Sequence, residues 1–164
     1  MDERKLQELS DRQEIHSLVN AYARHIDLYD PEGVAELFAP DAVIEYGKGF
    51  PDRVEGPAAL AEVLHQSLGG LVATAHHISN VDIWFDGPDD ARGICYLYAW
   101  HRFPDGRPDF HLWAQYHDRY RRLPDVGWRF AYRSIKVAGS EGVDREFDMI
   151  GRNPGRAPER TDAG

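Results

Sequence analysis

The change of pattern that decides the fold lies in residues 57–85, which read PAALAEVLHQSLGGLVATAHHISNVDIWF. Apolar residues recur at steps of three and four up to Leu68, which is typical of a helix with one buried face. Two glycines end that pattern, and from Ala73 to Phe85 apolar and polar residues alternate as in a strand. The segment therefore predicts a helix followed by the first long strand of a sheet.

Two more helices are predicted upstream of this segment. Residues 6–27 place apolar side chains on one helix face and charges on the other. The Asp-Pro-Glu sequence at residues 30–32 predicts the start of a shorter helix, because it supplies an N-cap, a first-turn proline and a first-turn acid. We expect that helix to end at Pro40, before a strand at 42–46 and a short extended stretch at 53–54.

Downstream, strands are predicted at residues 91–103, 109–122 and 127–138, with turns rich in Pro, Asp and Gly between them. Three helices and a short hairpin followed by a four-stranded antiparallel meander predict an α+β domain, with the helices on one face of a curved sheet. Residues 151–164 lack periodic apolar positions and predict a disordered tail. The domain is therefore expected to span residues 1–150.

Composition narrows the class of protein. With 164 residues, 42% of them hydrophobic, the chain suits one soluble domain with its own core. The net charge of −9 argues against a nucleic-acid or anionic membrane partner. Cys95 is the single cysteine, so no internal disulfide is possible, and no run of apolar residues is long enough to cross a membrane. We therefore expect a cytoplasmic protein.

Candidate functional side chains are an aspartate and several histidines. Asp27 closes the first helix beside its apolar stripe, where a carboxylate opposes the helix dipole. His76 and His77 are neighbours in a strand and must face opposite sides; the phase of Ile83 assigns His77 to the side of the core. His101 ends the next strand in phase with small side chains, which leaves room for a ligand. At each position a purely structural hydrogen bond is the alternative.

The motifs that would indicate other chemistries are missing from the sequence. It contains no His-x-His, His-Glu-x-x-His or Cys-x-x-Cys spacing, no Gly-x-Ser-x-Gly elbow and no phosphate-binding loop. What remains is a carboxylate, histidines and tyrosines, which suit proton abstraction and stabilisation of an enolate. We therefore expect acid/base catalysis with no metal and no cofactor.

Residues 21–47, AYARHIDLYDPEGVAELFAPDAVIEYG, resemble the opening of the SnoaL-like domains of the nuclear transport factor 2-like superfamily. The likeness extends over nearly the whole chain and includes TAHHISNVDIW, GICYLYAWHRF, GWRFAYRSIKV and the closing segment EGVDREFDMIG. The resemblance implies a cone-shaped α+β barrel, with three N-terminal helices packed on a strongly curved, mostly antiparallel sheet.

Within the superfamily, the chain is most similar to scytalone dehydratase and bile-acid dehydratase. That similarity implies four catalytic residues. Asp27 lies thirteen residues before Pro40, as the catalytic aspartate of scytalone dehydratase does. His77 matches the active-site histidine that scytalone dehydratase has in a T-x-H-x-I-type strand. His101 matches the second histidine, which ends the next strand, and Tyr46 matches the tyrosine that polarises the carbonyl.

The same resemblance implies substrate-binding residues. Bile-acid dehydratases have a tyrosine five residues before the aspartate, and Tyr22 matches it. Ala114 and Tyr116 stand where scytalone dehydratase has Ser and Asn, which alters pocket shape and hydrogen bonding. Phe147, in the closing segment, completes the set.

These residues predict a cofactor-independent dehydratase for a small cyclic, polyketide-like or terpenoid hydroxy-ketone. In this interpretation His77 takes the proton beside the carbonyl. Asp27 and His101 orient the reacting groups and shuttle protons, and Tyr46 stabilises the enolate. Double-bond isomerisation and aldol cyclisation use the same groups and stay open. A non-catalytic binding or scaffold domain, including a small subunit of a ring-hydroxylating dioxygenase, is the alternative from another class.

The remaining aromatic residues predict self-association. Tyr98 and Trp100 share the strand face opposite His101, and Trp113 joins them from the neighbouring strand. An aromatic sheet face of this kind is unusual in contact with water. We expect a homodimer or homotrimer that buries this face, with a small hydrophobic substrate as the other partner.

Overall fold

The computed structural model describes residues 2–51 and 53–151. Its elements in chain order are α1 (Glu3–Asp27), α2 (Pro31–Ala35), β1 (Phe38–Glu45), β2 (Arg53–Glu55), α3 (Pro57–Leu68), β3 (Ala73–Phe85), β4 (Asp90–Arg102), β5 (Phe110–Leu123) and β6 (Gly127–Glu141). The predicted disordered tail lies outside the described residues, apart from Gly151. No helix in the described ranges is long and apolar enough to cross a membrane.

The six strands form one curled sheet in the order β2-β1-β6-β5-β4-β3, and the helices pack against its inner face. The α+β prediction is therefore confirmed. The short hairpin is not separate from the meander, because β1 runs parallel to β6, with Ile44 opposite Arg133, while all other pairs are antiparallel. This pairing brings the end of β1 beside the helices and so positions Tyr46.

The second helix is shorter than predicted. Asp30 caps it as expected, since its carboxylate accepts a hydrogen bond from the Gly33 amide at 2.9 Å. The helix ends at Ala35 and not at Pro40, and β1 has already begun at Phe38. The ring of Phe38 packs 4.9 Å from that of Phe130, so sheet pairing and burial override helix propensity at this point.

A bulge divides β3 into two halves of opposite phase. Asn80 adopts a left-handed conformation with φ of 47°, and the pairing with β4 shifts by one residue between Ser79 and Asp82. Before the bulge, His76 lies opposite the inward-facing Ala99; after it, Ile83 lies opposite the inward-facing Gly93. Even-numbered residues thus face the core before the bulge, and odd-numbered residues face it afterwards.

A buried ion pair lies in the core beneath the helices. Arg133 donates from Nε and Nη2 to the two carboxylate oxygens of Asp118, at 2.8 Å each, and Tyr120 donates to the same carboxylate at 3.0 Å. The Arg133 guanidinium also lies 4.1 Å from the ring centroid of Tyr22 and 4.0 Å from that of Tyr116. Bidentate pairing and aromatic stacking together offset the cost of burying this charge.

Candidate active site

A cavity of about 300 Å³ lies between the helices and the inner face of the sheet. Most of its wall is apolar and comes from α1, α3, β4, β5 and the closing segment after β6. Its polar lining consists of Tyr22, Tyr46, Ser67, His76, His101, Tyr116 and Arg145. An apolar chamber with a few converging polar groups is the usual form of a small-molecule site.

Asp27 and His76 form a dyad in the wall of this cavity. The imidazole Nδ1–H of His76 donates to Oδ1 of Asp27 at 2.7 Å, and the backbone N–H of His76 donates to Oδ2 at 2.9 Å. The hydroxyl of Thr74 donates to Oδ1 at 2.8 Å. Because Nδ1 carries the proton, Nε2 keeps the lone pair that a general base needs. The side chain of His76 is only 7% exposed, so its orientation is fixed.

The carboxylate of this dyad is ionised at neutral pH. Burial by itself would raise the pKa of Asp27, but hydrogen bonds from the side chain and backbone of His76 and from Thr74 more than offset it, and the pKa lies below its ordinary value. Asp27 is therefore an anion that stabilises a protonated His76. It sits behind the imidazole and does not itself line the cavity.

His101 differs from His76 in its electrostatics. Its ring centroid lies 5.2 Å from that of His76, and it stacks on Phe110 at 5.3 Å. Burial, reinforced by the nearby charge of His76, lowers the pKa of His101 to about 4. His101 is therefore neutral at pH 7, and its buried Nδ1 has no partner among the described residues. It lines the cavity as a neutral group that can form a hydrogen bond without adding charge.

Three tyrosines supply neutral donors at the same cavity. The hydroxyls of Tyr22 and Tyr46 share a hydrogen bond of 2.7 Å, and the ring of Tyr116 meets that of Tyr22 edge-on at 5.7 Å. Burial, with the neighbouring phenols, raises the pKa of Tyr46 and of Tyr116 well above the ordinary value. The phenols of Tyr46 and Tyr116 thus keep their protons and can donate a hydrogen bond, which suits an oxygen that gains negative charge.

The prediction that His77 faces the core is wrong. His77 is exposed on the outer face of the sheet, where its ring lies 5.8 Å from that of Tyr98. The phase taken from Ile83 is inverted by the bulge in β3, so His76 takes the inward position. A signal in the sequence identifies this residue: a strict count of T-x-H-x-I from Thr74 reaches His76 and not His77.

Two other sequence assignments do not line the cavity. Ala114 is buried in the core away from the chamber. Phe147 stands in a second layer, 5.3 Å from the ring of Phe50 and 6.1 Å from that of Phe110. Spacing along the chain identifies which side chains face inward but not how deep each one lies. Sequence reasoning also missed Arg145, because the closing segment has no periodic pattern from which to assign a direction.

The described part of the chain holds neither a cluster of metal ligands nor a reactive thiol. Within residues 2–51 and 53–151, no three His, Cys, Asp or Glu side chains are grouped so that they could hold a metal ion. Burial raises the pKa of Cys95 to about 12, so its thiol stays protonated. The ionisable groups that line the cavity are imidazole, phenol and guanidinium, with the Asp27 carboxylate behind the imidazole of His76.

Comparison with known proteins places the chain in a family. The sequence profile of the SnoaL-like domain matches residues 7–134. The chain belongs to the SnoaL-like domain family. An uncharacterised protein of Mycobacterium tuberculosis is 31% identical over 132 residues, which cover 77% of this chain and 84% of that protein.

Solved structures share the fold of this SnoaL-like chain. A protein of Novosphingobium aromaticivorans that carries the provisional name scytalone dehydratase is 28% identical, with a TM-score of 0.83 over 91% of this chain and 99% of its own. A type 2 hexachlorocyclohexane dehydrochlorinase is 19% identical, with a TM-score of 0.76 over 92% of this chain and 99% of its own, which shows the fold alone. The expected nuclear transport factor 2-like fold is thus confirmed.

Proposed function

We propose that this SnoaL-like protein is a cofactor-independent lyase that eliminates water from a small cyclic hydroxy-ketone. The observation that carries the proposal is the Asp27–His76 dyad, which presents the free Nε2 of a fixed imidazole to an apolar cavity lined by neutral phenols. A base, an oxyanion site and a dry chamber are the three requirements for proton abstraction beside a carbonyl.

The reaction begins with His76. Its Nε2 takes the proton from the carbon between the ketone and the hydroxyl-bearing carbon, and the anionic Asp27 stabilises the imidazolium that forms. The electron pair moves to the carbonyl oxygen, where Tyr46, held by its hydrogen bond to Tyr22, donates to the developing enolate.

The second half of the reaction returns the proton. As the enolate collapses to the conjugated ketone, the carbon–oxygen bond of the hydroxyl breaks and the imidazolium of His76 protonates the departing oxygen. The proton from carbon and the hydroxyl thus leave together as water, and the reaction is balanced without a redox step or a cofactor. His101, neutral and 5.2 Å from His76 between ring centroids, holds the hydroxyl in place.

Family membership agrees with this chemistry. The SnoaL-like profile and the provisional scytalone dehydratase at 28% identity support an enzyme of the lyase or isomerase kind. The apolar wall supports a small hydrophobic substrate, and a polyketide-like or terpenoid ring suits a chamber of about 300 Å³.

Isomerisation or aldol cyclisation of the same enolate is the second candidate. It uses the same base and oxyanion donor, and it needs no acid for a leaving group, whereas elimination depends on His76 alone because His101, with a pKa of about 4, is neutral and a weak acid. In that case the proton on His76 returns to carbon. A binding or scaffold domain is the third candidate, and it gives no reason for a carboxylate hydrogen-bonded to a buried imidazole beside the cavity.

The experiment that tests the proposal separates proton abstraction from elimination. Cyclic ketones with and without a β-hydroxyl are incubated with the protein in D₂O, with and without a chelator. Proton NMR reports exchange at the α-carbon, and ultraviolet absorbance reports the conjugated product. Elimination that is insensitive to the chelator is expected; exchange without elimination favours the isomerase, and neither reaction with any ketone contradicts catalysis.

The outer face of the sheet supports a homodimer or homotrimer. Tyr98 packs 5.6 Å from Trp113, whose side chain is 40% exposed, and the indole of Trp100 donates to Asp109 at 2.9 Å. This places three large aromatic side chains on one side of β4 and β5, and no helix in the described part of the chain packs over them. We propose that a second copy covers this face, because solvent contact leaves its apolar area unburied.

A further inference from the structure

The mouth of the cavity is formed by two segments that touch each other. One follows β1 and contains Gly49 and Phe50; the other is the closing segment after β6, which contains Arg145 and Phe147. Phe50 and Phe147 pack at 5.3 Å between ring centroids, and Nη1 of Arg145 donates to the carbonyl oxygen of Gly49 at 2.6 Å. Arg145 is thereby held in the cavity lining while it stays exposed to solvent, which indicates that the cavity opens at this point.

Arg145 contributes a net charge that the rest of the polar lining does not. His101 and the phenols are neutral, and any charge on His76 is balanced by Asp27. Among the described residues Arg145 makes no ion pair, and the neighbouring carboxylate of Glu146 is paired with Lys48 at 3.7 Å. One guanidinium N–H is committed to Gly49, which leaves the Nε–Nη2 edge available.

That edge has the shape of a carboxylate receptor. A guanidinium presents parallel donors that match the two oxygens of a carboxylate, and such a pair is stronger than a neutral hydrogen bond. The chain carries a net charge of −9, so an anionic ligand reaches the mouth only where a cation attracts it. Within residues 2–51 and 53–151, Arg145 has no carboxylate partner and no second free cation beside it, which suits a monoanion better than a phosphate.

We propose that Arg145 determines specificity by binding a carboxylate on the substrate. The carboxylate stays at the mouth, and the ring that carries the reacting ketone points inward to His76. Only the placement of the ketone at His76 rests on the proposed function; the binding of the carboxylate by Arg145 does not. The resulting substrate class is a cyclic hydroxy-ketone acid, with its charged group and its reacting group at opposite ends.

The test compares one acid with its neutral ester. Isothermal titration calorimetry measures binding of 6-hydroxy-2-naphthoate, whose ring hydroxyl mimics an enol, and of its methyl ester. The wild-type protein is expected to bind the acid at least about tenfold more tightly. Arg145→Gln should remove that preference and leave the affinity for the ester within about twofold, whereas Arg145→Lys should keep part of it.

Two further variants make the outcome specific. Lys48→Gln removes a nearby cation that does not line the cavity, and it should leave the acid-to-ester ratio unchanged. His76→Ala should also retain the ratio, which separates this proposal from the lyase proposal, because binding is measured without turnover. Equal affinities in the wild-type protein, no binding of the acid, or an unchanged ratio in Arg145→Gln would overturn the assignment.

Discussion

His76 and His77 are the same side chain at adjacent positions on opposite faces of one strand, and this makes them a matched pair. His76→Ala removes the imidazole that lines the cavity and should lower kcat by roughly 10²–10⁴-fold, the usual effect of losing a general base. His77→Ala truncates an exposed ring and should leave kcat within about twofold. Steady-state turnover of the active ketone checks both, and a larger loss in His77→Ala would contradict the site.

Asp27 acts through His76, so its replacement has a signature in pH dependence. Asp27→Asn keeps the shape but removes the charge that stabilises the imidazolium, so kcat should fall by roughly 10²–10⁴-fold. The acidic limb of the kcat/KM profile should move to lower pH, because a neutral amide no longer stabilises the protonated base. A melting temperature close to the wild type, by circular dichroism, would separate this from misfolding. If kcat/KM falls at every pH while its acidic limb stays at the wild-type pH, the result would argue against a dyad.

The buried His101 makes stability depend on pH. Its pKa is about 4 in the folded protein against an ordinary 6.5, so between these values the unfolded chain binds a proton that the folded protein does not. The free energy of unfolding therefore falls as pH decreases through this range, by on the order of 2 kcal/mol between pH 6.5 and pH 5. His101→Asn should flatten the decline in urea unfolding experiments, and His77→Ala should not. Parallel declines in all three proteins would contradict this account.

At the scale of the element, the bulge in β3 decides which histidine faces the cavity. Asn80 has φ of 47°, which asparagine and glycine tolerate and β-branched residues do not. Asn80→Val should cost about 1–2 kcal/mol of stability and reduce kcat, because straightening the strand turns His76 away from Asp27. Asn80→Gly should retain both stability and activity. Thermal unfolding and turnover measure the two effects, and equal behaviour of the variants would show that the bulge does not depend on this residue.

The same bulge shows how far sequence reasoning reaches. Periodicity predicts every long element, since burial on one face imposes a period of 3.6 or 2 over many residues. It places Tyr22, His101 and Tyr116 on the correct side because their elements keep one phase throughout. It fails for His76, because a single left-handed residue reverses the phase, and for Ala114, because depth within a core follows from packing and not from spacing.

At the scale of the whole molecule, the aromatic outer face predicts assembly. Multi-angle light scattering at micromolar concentration should give a mass two or three times that of one chain. Trp113→Asp places a charge in the middle of the face and should yield a monomer, because a buried unpaired carboxylate is costly. Trp84→Asp, at an exposed tryptophan near the other end of the sheet, should leave the assembly intact. A monomeric wild-type protein would refute the proposal.

The position of β6 has a consequence for how the protein is made. This strand, Gly127–Glu141, stands between β1 and β5, so β1 can join the long antiparallel strands only after β6 has left the ribosome. Contacts between residues so distant along the chain form late and slow folding. Tyr46 therefore takes its place in the cavity lining only after β6 has been made, and a nascent chain that stops before β6 has an incomplete cavity and two unpaired strand edges, which favour aggregation.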